Sequence, residues 1–144
     1  MRKIINNRIY DTDKAHLVGE YDNGSLPTDS EYIAEALYRK KTGEYFLHGE
    51  GGPRTMYACT RGSRWSSGER IMPYDYDAAM EWAQEHLSVD AYEQEFGEVA
   101  EDESTCVLSC IISSASMTLI RRASQREGIT IAAVVERLAQ ALRE

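Results

Sequence analysis

Residues 105–144 place the tightest limit on what this chain can fold into. The apolar run CVLSCIIS, Cys106–Ser113, reads as a short strand. Ser114–Glu127 follows as a helix lined by Met117, Ile120 and Ala123 and capped near Ser114 or Ser116. Gly128 supplies a stop. Thr130 can cap a last helix that runs to about Arg143, lined by Val134, Leu138, Ala141 and Leu142. A strand, a helix, a glycine and a second helix are too small together to bury their own core. Two solutions stay open. The strand pairs with its own copy in a symmetric dimer, or the helical hairpin completes a single core with the rest of the chain.

Charge divides the chain in the same place. Residues 1–103 carry 21 acidic and 11 basic residues, and residues 104–144 carry 3 and 5, within a net charge of −8. No Lys or Arg stands between Arg70 and Arg121, an interval that holds eleven carboxylates. Such a surface repels nucleic-acid phosphate and attracts basic proteins. A solvated helical face that aids solubility has the same composition. The segment EVAEDES, residues 98–104, reads as an acidic linker. The expected organisation is therefore an acidic α+β module over 1–97, the linker over 98–104, and the strand-helix-helix module over 105–144.

Within the first module, Lys3–Ile5 and Arg8–Tyr10 flank Asn6-Asn7, a two-residue hairpin turn. Leu37–Lys40 and Glu44–His48 flank Lys41-Thr42-Gly43, a second hairpin. Asp29–Leu37 either leads into that hairpin or begins as a short helix capped by Thr28 or Asp29. Residues 49–70, rich in Gly, Ser and Arg, read as a long loop or loosely paired strands, and Ile71–Pro73 as a short strand. Tyr76, Ala79, Met80, Ala83 and Leu87 fall on one helical stripe, with Asp75 or Asp77 as cap. Ser88 opens a second helix, Val89–Phe96, which Gly97 ends.

Chemistry-bearing motifs are few. His16, His48 and His86 lack metal-ligand spacing. Cys106 and Cys110 would lie about 13 Å apart on one strand face, too far to share a metal, and read as core thiols. Three cysteines without a CxxC pair suit a reducing cytoplasm. GEGGP, Gly49–Pro53, lacks the Lys-Ser/Thr of a phosphate loop and reads as a turn. Arg54, Arg61, Arg64 and Arg70, with Tyr57 and Trp65 among them, form either a basic-aromatic patch for nucleic acid or a loop of balancing charge. No nucleophile stands beside a base. Neither an enzyme nor a cofactor or metal site is expected. The N-terminus lacks an apolar signal-peptide core, and no run is long enough to span a membrane.

Two resemblances add to this. The strand VLSCII, the helix MTLIRRASQREG and the following GITIAAVVERLAQAL make residues 105–142 resemble the ribbon-helix-helix superfamily. That resemblance implies a homodimer, with Leu108, Cys110, Ile112, Val134 and Leu138 at the dimer core. It implies operator-DNA contacts from Val107, Ser109, Ile111, Arg121, Arg122 and Thr130, with the two strands laid in the major groove. Of the outward strand residues only Ser109 can hydrogen-bond a base edge, so dimerisation fits better than base reading. The stretches KIINNRIYDTDKA, EALYRKKTGEYFLHGEGG and ERIMPYDYDAAMEWAQEHLSVDAYEQEFG are similar to small proteins of Gram-positive mobile elements, some of them anti-CRISPR inhibitors. That likeness implies a non-enzymatic phage or mobile-element inhibitor. Its target would be an RNA-guided CRISPR nuclease or its guide-RNA complex in the bacterial cytoplasm. Asp77, Glu81, Glu85, Glu93 and Glu95 would carry the contact, and the C-terminal module would dimerise the protein and repress its own promoter. The alternative is a ribbon-helix-helix transcriptional regulator.

Overall fold

The computed structural model describes residues 1–99, 101, 106 and 108–143. They form a mixed α+β structure with two compact units, Met1–Ser109 and Cys110–Glu144.

The first unit begins with the hairpin β1 (Arg2–Ile5) and β2 (Arg8–Asp11). Asn6 and Asn7 take φ of 50° and 63°, the left-handed pair that a two-residue turn of this twist requires. A four-stranded antiparallel sheet follows, in the order β3 (His16–Asp22), β4 (Ile33–Arg39), β5 (Tyr45–Gly51), β8 (Gly68–Tyr74). The β4–β5 hairpin turns where the sequence places it, with Lys40 N–H donating to the Glu44 carbonyl. Between β5 and β8 a small hairpin stands apart, β6 (Cys59–Arg61) and β7 (Arg64–Ser66).

Cross-strand partners share a face of the sheet. Leu37 pairs with Leu47 and Leu47 with Met72, while Tyr45 pairs with Tyr74. This face is covered by α1 (Tyr76–His86) and α2 (Val89–Phe96) through Ala79, Trp82, Ala83 and Phe96. On the opposite face, Tyr38, Phe46 and Ile71 pack under the β1–β2 hairpin through Tyr10 and Ile5. The Tyr10 ring meets Phe46 edge-on at 5.4 Å, and Tyr38 stacks on it at 5.2 Å. Asp75 caps α1 by accepting from Ala78 N–H at 2.8 Å, and Ser88 caps α2 in the same way from Ala91 N–H.

One carboxylate ties these layers together. Glu35, on β4, accepts from the Tyr57 hydroxyl at 2.6 Å and from the Trp82 indole N–H at 2.7 Å. Tyr57 reaches it by lying across Gly49, where an added Cβ would sit 2.1 Å from the phenol ring. Only glycine leaves room for that ring.

The second unit is the helical hairpin α3 (Ser114–Glu127) and α4 (Ile131–Gln140), ending in a 3₁₀ turn over Ala141–Arg143. Gly128 takes φ of 64° and stops α3, as a left-handed terminator does. Ser113 and Thr130 are the caps. Glu127 pairs with Arg137 across the hairpin, and the guanidinium holds its carboxyl below the usual carboxylate range.

Two open alternatives are decided and two expectations change. The 29–37 stretch turns and then enters β4 rather than a helix. β3 is an additional strand, broken in register by a bulge between Leu17 and Gly19. Of the two readings of residues 49–70, paired strands hold, from the end of β5 through β6 and β7 into β8. The segment 106–113 forms no strand among its described residues, and Cys106 and Cys110 are exposed rather than core thiols. A strand needs a neighbour to take its backbone hydrogen bonds, and the single chain offers this segment none among the described residues.

Replacing Glu35 by Ala leaves the Tyr57 hydroxyl and the Trp82 N–H without their acceptor. Urea unfolding of Glu35→Ala is expected to show a loss of about 2–3 kcal/mol. A change under about 0.5 kcal/mol, the range of neutral surface substitutions, would contradict the tie.

Candidate binding surfaces

The acidic candidates separate into two kinds. Asp77, Glu81 and Glu85 lie four residues apart along α1 and are exposed. Four-residue spacing puts them on one face of the helix. Among the described residues Asp77 and Glu81 have no ion pair, and Glu85 only approaches the neighbouring His86, at 3.7 Å. Asp77, in the first turn, also suits the positive end of the helix dipole. Glu93, on α2, is half-buried.

Glu95 belongs to the interior. Its side chain is 8% exposed and accepts from Arg39 Nη1 and from the Tyr45 hydroxyl, each at 2.8 Å. It ties α2 to β4 and β5, so its carboxylate is taken. Spacing alone placed it with the surface acids, because α2 buries its acid against a cation from another element.

A further acidic surface was not anticipated. Glu20 and Asp22 on β3, Glu50 on β5 and Glu69 on β8 occupy alternate positions on the sheet face that the β1–β2 hairpin covers only in part. All four are exposed, and Glu69 lies 3.0 Å from His48 Nε2. Burial first, and then the charges of Glu20 and Asp13, hold the Tyr38 phenol above its ordinary value. The signal was the strand alternation, obscured in β3 by its bulge.

The arginine-rich stretch is now resolved into a hairpin. Arg54, Arg61, Arg64, Trp65 and Arg70 are exposed, whereas Tyr57 is buried and bound to Glu35. The aromatic pair of the sequence therefore divides, with Trp65 outside and Tyr57 in the core.

In the second unit, Val134 is buried and Leu138 is exposed. Leu108, Ser109, Cys110, Ile111 and Ile112 are all exposed, and Val107 lies outside the described residues, as do Ala100 and residues 102–105 at the linker. Arg121 and Arg122 are exposed on α3. The Thr130 hydroxyl is engaged as the α4 cap, accepting from Ala133 N–H at 3.1 Å. The inward and outward sets of the expected strand are not distinguished in the single chain. Among the described residues, no group of three or more His, Cys, Asp or Glu side chains can hold a metal ion, and no helix is long and apolar enough to cross a membrane. No family model, curated protein or solved structure matches the chain.

The buried phenols give the first unit a pH signature. Burial, followed by the hydrogen bond to Glu35 and its charge, holds Tyr57 far above the phenol range. Burial, followed by the hydrogen bond to Glu95 and its charge, does the same for Tyr45. In the unfolded chain both ionise near pH 10. Folding raises these pKa values, so the stability they confer is complete below about pH 10 and is lost above it. Melting temperature should fall steeply from about pH 9.5 upward. The fall should be shallower in Tyr57→Phe, whatever that variant's stability at neutral pH. Parallel profiles would contradict the assignment.

Proposed function

We propose that the chain is a non-catalytic inhibitor from a phage or mobile element. Its target is a basic surface on an RNA-guided CRISPR nuclease or its guide-RNA complex, in the bacterial cytoplasm. The observation that carries this reading is the row Asp77, Glu81 and Glu85 on α1. Like charges four residues apart destabilise a helix by about 0.2–0.5 kcal/mol per pair. This helix keeps three of them on one exposed face with no Lys or Arg paired to them among the described residues. A cationic partner removes that repulsion. Nucleases that hold a guide–target duplex carry such a positive channel. Opposed surfaces of this kind speed association and make it salt-sensitive. The likeness of residues 2–97 to mobile-element proteins supplies the target class.

In a pull-down against guide-loaded RNA-guided nucleases, the complex should weaken as salt rises. Reversing Asp77, Glu81 and Glu85 to Lys together should reduce affinity at least about tenfold. Unchanged affinity would remove the α1 row from the interface. Binding that ignores salt would remove the electrostatic reading altogether.

A second reading rests on the other unit. Ile111, Ile112, Leu119, Leu138 and Leu142 are exposed there, while Val134 is the buried hydrophobic among its described residues. Pairing of residues 108–112 with the same segment of a second copy would supply the missing strand and cover these side chains, as in a ribbon-helix-helix dimer. That arrangement supports dimerisation, and with it binding of operator DNA near Ser109, Arg121 and Arg122. Sedimentation should then give a dimer, and Ile112→Asp should make it a monomer. A wild-type monomer at about 100 μM, far above the Kd of a stable dimer, would end this reading. A gel shift without preference for the protein's own promoter would end its DNA-binding part alone.

A further inference from the structure

The connection from β3 to β4 begins with Asn23-Gly24, the one Asn-Gly pair in the chain. Both residues are exposed. Gly24 takes φ of 75°, and nothing lies within 4 Å of where its Cβ would stand. The Asn23 side chain is held at both ends. Its Oδ1 accepts from Ser25 N–H and from Ile33 N–H, each at 3.2 Å. Its Nδ2 donates to the Glu31 carbonyl at 2.7 Å. One side-chain amide thereby fastens the turn after β3 to the chain that enters β4.

The same contacts bring reacting groups together. The bond from Ser25 closes an Asx turn over Gly24. That turn folds the Asn23 side-chain carbonyl carbon back toward the Gly24 amide nitrogen. The two N–H groups on Oδ1 polarise the carbonyl and are placed to stabilise negative charge that develops on it. Gly24 N–H donates to Asp22 Oδ1 at 2.8 Å, so a carboxylate stands at the proton this nitrogen must lose to become a nucleophile. Gly24 brings no side chain to crowd the approach.

We infer that Asn23-Gly24 is a self-modifying site, at which the chain cyclises and loses the Asn23 amide without an enzyme. The Gly24 nitrogen attacks Asn23 Cγ and a C–N bond forms. The proton passes from that nitrogen through Asp22 to Nδ2, whose bond to Cγ breaks, and ammonia leaves. The product is a succinimide ring in the backbone. Water then opens it. Opening at the side-chain carbonyl gives aspartate at position 23, and opening at the main-chain carbonyl gives isoaspartate, which lengthens the backbone by a methylene. No oxidant, reductant or cofactor is consumed. Either product lacks the Nδ2 donor, so the Glu31 carbonyl loses its partner and meets a carboxylate oxygen instead. A negative charge also appears beside Asp22, at the end of the sheet face that holds Glu50 and Glu69. Conversion therefore unfastens the 23–33 connection and makes that face more acidic as the protein ages. It runs one way, because ammonia is lost to solvent.

The full chain would be incubated at neutral pH and physiological temperature, beside a sample held unfolded in urea. Peptide mass spectrometry reads the exchange of NH2 for OH at position 23, and chromatography separates the aspartate and isoaspartate forms. The folded chain is expected to convert at least as fast as the unfolded one, because the donors on Oδ1 and the Asp22 carboxylate act only in the fold. Asp22→Ala should slow conversion of the folded chain about tenfold or more and leave the unfolded rate unchanged. Asp22 is exposed at the end of β3, and circular dichroism would check that the variant folds. Asn23→Gln should stay unconverted in both states. Hydrogen exchange across residues 23–33 should quicken in the converted protein. The inference is overturned if Asn23 keeps its amide in the folded chain while the unfolded chain converts. It is also overturned if folded Asp22→Ala converts as fast as the wild type. Unchanged hydrogen exchange in the converted protein would overturn the unfastening.

Discussion

The Glu35 carboxylate is the point on which the first unit depends. It sits on β4, in the interior of the sheet order, and takes one hydrogen bond from each of two separate elements. Trp82 brings α1, the helix that carries the acidic row. Tyr57 brings the segment that leads into the β6–β7 hairpin, which carries the exposed arginines and Trp65. Helix α1 and the segment that leads into the β6–β7 hairpin are therefore both tied to one acceptor. A charged acceptor makes hydrogen bonds roughly twice as strong as neutral ones, and here both donors are neutral and remain so. Burial, followed by the hydrogen bond to Glu35, holds Tyr57 above the phenol range, so its hydroxyl keeps the proton it donates.

Glu95 repeats the device at a second position. It joins Arg39 and Tyr45 to α2. Each helix over the sheet is thus held by apolar burial together with one carboxylate that accepts a phenol hydroxyl. Apolar burial alone lets a helix slide, because it is non-directional. A hydrogen bond between an indole or phenol and a carboxylate fixes the register. For α1, that register sets where the row Asp77, Glu81 and Glu85 faces.

Local chemistry was legible in the sequence wherever one residue type decides the backbone. Asn6-Asn7 at the first turn, Ser88 as a cap and Gly128 at the end of α3 read correctly for that reason, and Asp75 was one of two candidate caps for α1. Long-range pairing was not legible. β3 was lost because the bulge at Leu17/Gly19 breaks its alternation. β6 and β7 could not be told from loop because three-residue strands leave no period to detect. Glu35 attracted no attention, because its partners lie 22 and 47 residues away. Glu95 was placed at the surface for the same reason, its cation being 56 residues distant. Acids with local neighbours can be read from spacing, whereas acids that serve as distant acceptors cannot.

The distribution of cations is more uneven than a net charge of −8 requires. Solubility is served by a net of −8 wherever its acids lie. It does not require that the carboxylates on α1 lack a cation while two guanidiniums face each other at the β6–β7 tip. Nothing in the folded chain prevents exchange of these roles, since surface ion pairs form at small cost between flexible side chains. Keeping both sets unneutralised retains repulsion in α1 and in the β6–β7 turn. The choice of Arg rather than Lys at residues 54, 61, 64 and 70 points the same way. A guanidinium is weakly hydrated, planar and suited to stacking and to paired contacts with oxyanions, properties that matter at an interface and add little to a solvated loop.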